Sequence, residues 1–119
     1  MRKDTGRTRK IGELIQRELA VIIPREVGDP RAAQTTLTAV DVAPDLSNAK
    51  VFVTHLGGEE QGKAAVAALN HAAGFLRHRL RERVILRHVP ELRFHYDASI
   101  ERGDTIERLL AKARSERTE

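Results

Sequence analysis

The chain has 119 residues and a mass of 13.3 kDa, with 40% hydrophobic residues and a mean hydropathy of −0.43. These values indicate one soluble domain with a modest core. The longest apolar run, Leu19–Ile23, has five residues, far fewer than the roughly 18 that a membrane span needs. No secretory signal is expected either, since residues 1–10 are charged and no apolar segment follows. The absence of cysteine excludes disulfides, thiolate metal sites and a cysteine nucleophile, and it favours a cytoplasmic protein.

The formal net charge of +4 is unevenly distributed along the chain. Residues 1–10 contain five basic residues and one acidic residue, and residues 63–90 contain six basic residues and only Glu82. Basic charge concentrated in two segments of a small domain favours a polyanionic partner, most often nucleic acid. A solvated helix face is the alternative interpretation, and charge alone does not separate the two.

The first half of the chain predicts a helix followed by a hairpin. After a basic arm, residues 1–7, apolar residues recur at helical spacing from Ile11. Thr8 is expected to cap this helix, and Pro24 is expected to end it, with at most one further turn through Val27. Residues 35–42 and 49–56 are rich in β-branched residues, and their short connection predicts an antiparallel hairpin.

A long helical pattern follows at about residues 60–86, with an apolar stripe four or three residues apart. Its members are Ala65, Leu69, Ala72, Leu76, Leu80 and Val84. Gly74 interrupts this pattern and predicts a bend, because glycine costs about 1 kcal/mol of helix propensity relative to alanine.

The last part of the chain predicts a strand and a helix. Leu92, Phe94, Tyr96 and Ala98 alternate with polar residues, which is typical of a half-buried strand. Residues 100–119 are expected to form a C-terminal helix and a short tail, with a capping box at Asp104 and Glu107. The elements define an α+β fold in which helices cover a three-stranded sheet, and the main domain is residues 8–99.

No constellation for catalysis or metal binding is convincing. Phosphate-binding glycine loops and the His-Glu-x-x-His motif are absent, and His71 and His78 have no acidic residue beside them. A metal-free ribonuclease that uses His55 or His95 as general acid or base is conceivable. Surface histidines on a sheet are the simpler interpretation. Neither a catalytic residue nor a metal ligand is therefore predicted, and no cofactor or small-molecule substrate is expected.

The strongest constellation is the bend, Ala72-Ala73-Gly74, with the basic helix that follows it. Small residues there would let a phosphate backbone approach the N–H groups at the start of a helix. The alternative is that Gly74 only permits helix packing. Arg77 and Arg81 share one flank of the following helix, and Arg79 and Arg83 share the other. The candidate RNA-binding residues are Arg7, Arg9, Lys10, Ala72, Ala73, Gly74, Arg77, Arg79, Arg81 and Arg83, with Arg2 and Lys3 in the arm.

The order of elements resembles a type II K-homology (KH) domain, α-β-β-α-bend-α-β with an added C-terminal helix. The usual Gly-x-x-Gly is replaced by Ala72-Ala73-Gly74, which resembles the ribosome-binding factor A family. Other similar segments are Arg7–Lys10 with Ile15–Leu19, Glu26–Arg31 with its Asp-Pro-Arg turn, Val40–Val51, Ala73–Arg77 and Val89–Asp97. The resemblance covers roughly residues 7–113.

This resemblance implies a monomeric, cytoplasmic ribosome-biogenesis factor that is not an enzyme. Its expected partners are 16S rRNA and the free 30S subunit, and its expected roles are late 16S rRNA maturation at the 5′ end and cold adaptation. Many family members carry a longer basic tail, whereas residues 114–119 are mixed in charge. A KH-like module for another RNA or DNA stays open as an alternative, as does the ribonuclease.

Overall fold

The computed structural model describes residues 6–99. In chain order, the described part consists of helix α1 (Gly6–Glu26), a 3₁₀ turn (Pro30–Ala32), strands β1 (Thr35–Val42) and β2 (Asn48–His55), helices α2 (Glu59–His71) and α3 (Ala73–Arg83), and strand β3 (Glu91–Tyr96). The α+β class and the order of elements are confirmed.

Helix α1 begins earlier than its sequence signals predicted. It starts at Gly6, so Thr8 lies inside the helix with its side chain buried, and the prediction that Thr8 is the cap is wrong. Its end at Glu26 lies between Pro24 and Val27, as predicted. Proline removes one helical N–H, but Pro24 is exposed and the N–H of Val27 donates to the Ile23 carbonyl at 3.0 Å. The buried face of α1 therefore stays intact through Ile23.

The three strands form one sheet in the order β1-β2-β3. Strands β1 and β2 make the predicted antiparallel hairpin, with Val40 opposite Val51 and an irregularity between Leu37 and Ala39. Strand β2 lies one residue earlier than residues 49–56. Strand β3 pairs in parallel with β2, so that Phe94 lies beside Val51. A parallel neighbour requires a long crossover, and the chain makes it through α2 and α3.

The helices cover one face of this sheet and form the core with it. Leu69, Leu76, Leu80 and Phe94 are buried as predicted, and Tyr96 borders the core. The apolar stripe along α2 and α3 is thus confirmed as their packing face. The predicted strand through Ala98 ends earlier, at Tyr96.

Two glycines allow the helices to approach the sheet closely. A Cβ atom on Gly12 would lie 2.7 Å from the backbone oxygen of Val40, and one on Gly62 would collide with the ring of Tyr96. Both approaches are closer than real Cβ atoms come to other atoms. A larger residue at Gly12 would therefore displace the strand, and a larger residue at Gly62 would displace the ring. These positions set how tightly α1 and α2 rest on the sheet.

A side-chain amide protects the outer edge of β3. The Asn70 Nδ2 group donates to the Phe94 carbonyl at 3.0 Å, and the Phe94 N–H donates to Asn70 Oδ1 at 2.8 Å. Asn70 thereby supplies the two hydrogen bonds that a further strand would make at this edge. The same pair of bonds fixes the end of α2 against β3, next to the bend.

The predicted C-terminal helix and tail, residues 100–119, lie outside the described residues, as do residues 1–5 of the predicted arm. Gly6 and Arg7, the last two residues of that arm, belong to α1. None of the helices in the described range is long and apolar enough to cross a membrane.

Candidate nucleic-acid interface

The bend between α2 and α3 is centred on Ala72, two residues before the predicted position. Ala72 has φ −91° and ψ 2°, outside both helices, and its N–H donates to the carbonyls of Ala68 and Leu69, each at 3.1 Å. Its own carbonyl accepts from the Leu76 N–H at 2.9 Å and so begins the ladder of α3. Ala72 and Ala73 are partly buried against the core. The bend is therefore held by packed alanines and not by a special glycine conformation.

Gly74 lies in the first turn of α3 with its backbone exposed. Its φ is not positive, and a Cβ built on it would meet no atom within 4 Å. The interpretation that Gly74 permits helix packing is therefore wrong, and its backbone conformation is one that other residues also adopt. Glycine at this position leaves the backbone at the start of α3 exposed, with no side chain covering it.

An aromatic side chain lies beside this bare backbone. Phe75 is 43% exposed, and the Arg79 guanidinium lies over its ring at 5.3 Å from the centroid. A cation over an aromatic face is a stabilising contact. The sequence contains only three phenylalanines, and Phe75 was not identified as a candidate binding residue. Its exposure follows from its place on the face of α3 opposite Leu76 and Leu80, which only the helix register reveals.

Arg79 and Arg83 face α1. Arg79 lies 3.5 Å from a carboxylate oxygen of Glu26 and 3.2 Å from one of Glu82. Arg83 donates through Nε to Glu18 at 2.5 Å. The pairs with Glu26 and Glu18 connect α3 to α1, and all three glutamates offset the charge of the arginines. Their side chains remain about two-fifths exposed, so each pair is a surface pair worth up to about 1 kcal/mol.

On the other flank of α3, Arg77 and Arg81 differ in burial and in their contacts. Arg77 is half-buried and donates through Nε to the Val89 carbonyl at 2.9 Å, which ties α3 to the segment before β3. Arg81 is exposed and makes no ion pair with another residue of the described range. Of the four arginines on α3, Arg81 is therefore the most available to an external anion.

The basic residues at the start of α1 form a second exposed group. Arg7, Arg9 and Lys10 lie in the first two turns, and their side chains are exposed. Arg2 and Lys3 lie outside the described residues. Because helices have 3.6 residues per turn, Arg7 and Lys10 share a face, and both line a groove that also contains Arg87.

The Asp-Pro-Arg turn holds its arginine rigidly. Asp29 caps the 3₁₀ turn by accepting from the Arg31 N–H at 2.9 Å, and it also accepts from the Arg31 guanidinium at 2.7 Å. These hydrogen bonds from Arg31 lower the pKa of Asp29 from 3.8 to about 2. The turn contacts α2, so Arg31 is presented in a fixed direction beside that helix.

The histidines contact different kinds of groups. The Nε2 atom of His78 lies 3.3 Å from a carboxylate oxygen of Glu82, so the expectation that no acidic residue lies beside His78 is wrong. His55 Nδ1 accepts a hydrogen bond from the Gly57 N–H at 2.8 Å, and the His95 ring packs near Phe52 with centroids 5.7 Å apart. Between Gly6 and Ser99, no three His, Cys, Asp or Glu residues are grouped as metal ligands would be.

An α-β-β-α-α-β domain with a parallel β2-β3 pair, and with a small-residue bend between two helices, is a KH-like domain of type II. The family model described as Ribosome-binding factor A matches residues 7–110. The chain belongs to the ribosome-binding factor A family.

Individual relatives agree with this assignment. Ribosome-binding factor A of Ectopseudomonas mendocina is 50% identical over 98% of this chain and 92% of its own length. The crystal structure of ribosome-binding factor A from Thermus thermophilus is similar with a TM-score of 0.66 and 31% identity, over 75% of this chain and 94% of that one. A homology model of the T. thermophilus protein, fitted into the cryo-EM map of its complex with 30S, has a TM-score of 0.61 and 33% identity, over 73% of this chain and 91% of that one.

Proposed function

We propose that this protein binds the 30S ribosomal subunit through 16S rRNA and assists late maturation of that subunit. The observation that carries the proposal is the match to the ribosome-binding factor A family over residues 7–110, nearly the whole chain. The fitted 30S complex of the T. thermophilus relative supports the same partner. In this role the protein is a monomeric, cytoplasmic binding factor with no catalytic step. Processing of the 16S rRNA 5′ end and growth in the cold depend on it.

The bend supplies the first contact in this proposal. The first N–H groups of any α-helix have no acceptor within the helix, and at the start of α3 they lie beside exposed Gly74. A phosphate can therefore approach this backbone without meeting a side chain at position 74. Phe75, which is 43% exposed, offers a neighbouring ring for a ribose or an unstacked base.

Arg81 supplies the second contact, because it is exposed and not ion-paired within residues 6–99. Arg77 lies on the same flank and is the next candidate contact, because its hydrogen bond to the Val89 carbonyl already orients its side chain. Arg79 and Arg83 rank behind them, since Glu26, Glu82 and Glu18 offset their charge. The early basic residues of α1 add further positive charge.

The experiment is sedimentation of the purified chain with free 30S subunits and with assembled 70S ribosomes. We expect co-sedimentation with free 30S. If four of the basic residues contact phosphate, the slope of log K against log salt should be about −2.8 to −3.6, at −0.7 to −0.9 per contact. Co-sedimentation with neither particle would refute the proposal. Equal binding to unrelated structured RNA or to DNA would instead indicate a general nucleic-acid module.

The matched variants are Arg81→Glu and Arg93→Glu, which change the net charge equally. Arg93 is exposed on β3, between Leu92 and Phe94, whose side chains face the helices. Arg81→Glu should weaken 30S binding about tenfold and flatten the salt slope by about 1, whereas Arg93→Glu should leave both near wild type. Incubation with precursor 16S rRNA should yield no cleavage, and cleavage that His55→Ala abolishes would favour the ribonuclease.

A further inference from the structure

A second basic surface lies where α1 begins and the chain leaves α3. The first turns of α1 and the segment after α3 enclose a groove of about 650 Å³, whose basic lining residues are Arg7, Lys10 and Arg87. Ile85 and Leu86 complete its rim on the other side. Among the described residues, none that lines this groove is acidic.

The positive charge in this groove contrasts with the neutralised charge farther along the same helix pair. Helices α1 and α3 run antiparallel, since Arg79 meets Glu26 and Arg83 meets Glu18. Past Arg83, where α3 ends, the chain lies beside Lys10 and Arg7 at the start of α1. Arg7, Lys10 and Arg87 make no ion pair with any residue between Gly6 and Ser99. Within this range, glutamates therefore compensate the arginines where α3 packs on α1, but no acidic residue compensates the cations of the groove.

An apolar side chain stands at the rim of the same groove. Ile85 is fully exposed, an unusual state for a large aliphatic residue next to a folded core. Cations that can bind phosphate, placed beside an exposed aliphatic side chain, match the two chemical surfaces of a nucleic-acid backbone, its phosphates and its riboses. An acidic protein surface would use the cations but would leave Ile85 without an apolar partner.

We propose that this groove binds the sugar-phosphate backbone of an RNA helix, with Arg87 as a contact residue and Ile85 against a ribose. The proposal rests on the proposed function, because it assumes that the chain binds rRNA. Helix α3 has 11 residues, so the groove lies at least about 16 Å from the bend at 1.5 Å per residue. The two surfaces therefore contact separate, non-adjacent phosphates of one A-form segment, which is recognised by its shape and backbone.

The test compares two double charge reversals with the same change in net charge. Lys10→Glu with Arg87→Glu alters the groove, and Lys63→Glu with Arg93→Glu alters two exposed residues outside both surfaces. Thermal unfolding of both variants first establishes that they fold. Binding to 30S subunits and to protein-free 16S rRNA is then measured across a salt series.

We expect the groove variant to bind 30S subunits and protein-free 16S rRNA at least tenfold more weakly than wild type. The slope of log K against log salt should be flatter by about 1.4–1.8, which corresponds to two lost phosphate contacts. Unchanged binding by the groove variant would overturn the inference, as would an equal loss in the control pair. A loss confined to the intact subunit would overturn it too and would indicate a ribosomal protein as the partner. Failure of the wild-type chain to bind 30S would instead refute the proposed function.

Discussion

Replacement of Gly74 tests whether the bend serves the fold or a partner. A Cβ at this position meets no atom within 4 Å, and the backbone φ is not positive. Gly74→Ala should therefore fold normally and gain between 0 and about 1 kcal/mol in free energy of unfolding, because alanine is the better helix former. The gain is at the low end because Gly74 lies in the first turn of α3.

Gly62→Ala is the matched control for a glycine that the fold does require. Its new Cβ would collide with the ring of Tyr96, and overpacking of this kind costs about 1–3 kcal/mol. In urea unfolding, the free energy of unfolding should therefore stay at or rise slightly above the wild-type value for Gly74→Ala and fall below it for Gly62→Ala. A loss above about 1 kcal/mol in Gly74→Ala would contradict the open space inferred around Gly74.

The functional half of this prediction uses Gly74→Val, whose side chain would keep a phosphate away from the backbone. Loss of one hydrogen bond to a charged group costs about 1.5–3 kcal/mol, which corresponds to tenfold weaker 30S binding or more. Its stability should stay near wild type, since valine and glycine have similar helix propensities. Wild-type binding by a folded Gly74→Val protein would refute a phosphate contact at the bend.

Three further predictions concern stability. Leu76→Ala should lower the free energy of unfolding by about 2–5 kcal/mol, because Leu76 is fully buried; a loss under about 0.5 kcal/mol in chemical denaturation would contradict its place in the core. Asn70→Ala should cost about 1–3 kcal/mol, because both backbone groups of Phe94 lose their partner, and hydrogen exchange at the Phe94 amide should accelerate; unchanged exchange would argue against the cap. The Asp29 carboxylate should stay ionised to about pH 2 in a carbon-detected NMR titration. Because its folded pKa lies below the usual 3.8, its contribution is complete above about pH 4 and is lost as the pH falls toward 2; Arg31→Ala should return the pKa to the usual range, and an unmoved pKa would contradict the assigned cause.

The sequence determined the elements whose signals are local. Apolar spacing along residues 65–84 predicted which side of α2 and α3 is buried, because a helix repeats its geometry every 3.6 residues whatever surrounds it. The alternation of apolar and polar residues around Phe94 predicted β3, because successive side chains of a strand point to opposite faces of the sheet. The bend was predicted to within two residues of its centre at Ala72, since a glycine such as Gly74 weakens a helix wherever it occurs.

The tertiary structure alone decided what lies beside each element. The parallel pairing of β3 with β2 joins segments that no local signal connects. The glutamate that pairs with Arg83 is Glu18, 65 residues away in the chain.

The candidate site shows this division most clearly. From spacing alone, Arg77, Arg79, Arg81 and Arg83 were equivalent cations on two flanks of one helix. Packing against α1 and the segment before β3 gives three of them partners and leaves Arg81 exposed. It also brings Arg87, isolated in the sequence, beside Arg7 and Lys10. Charge is fixed by composition, but its availability to a partner depends on neighbours that only the folded chain brings together.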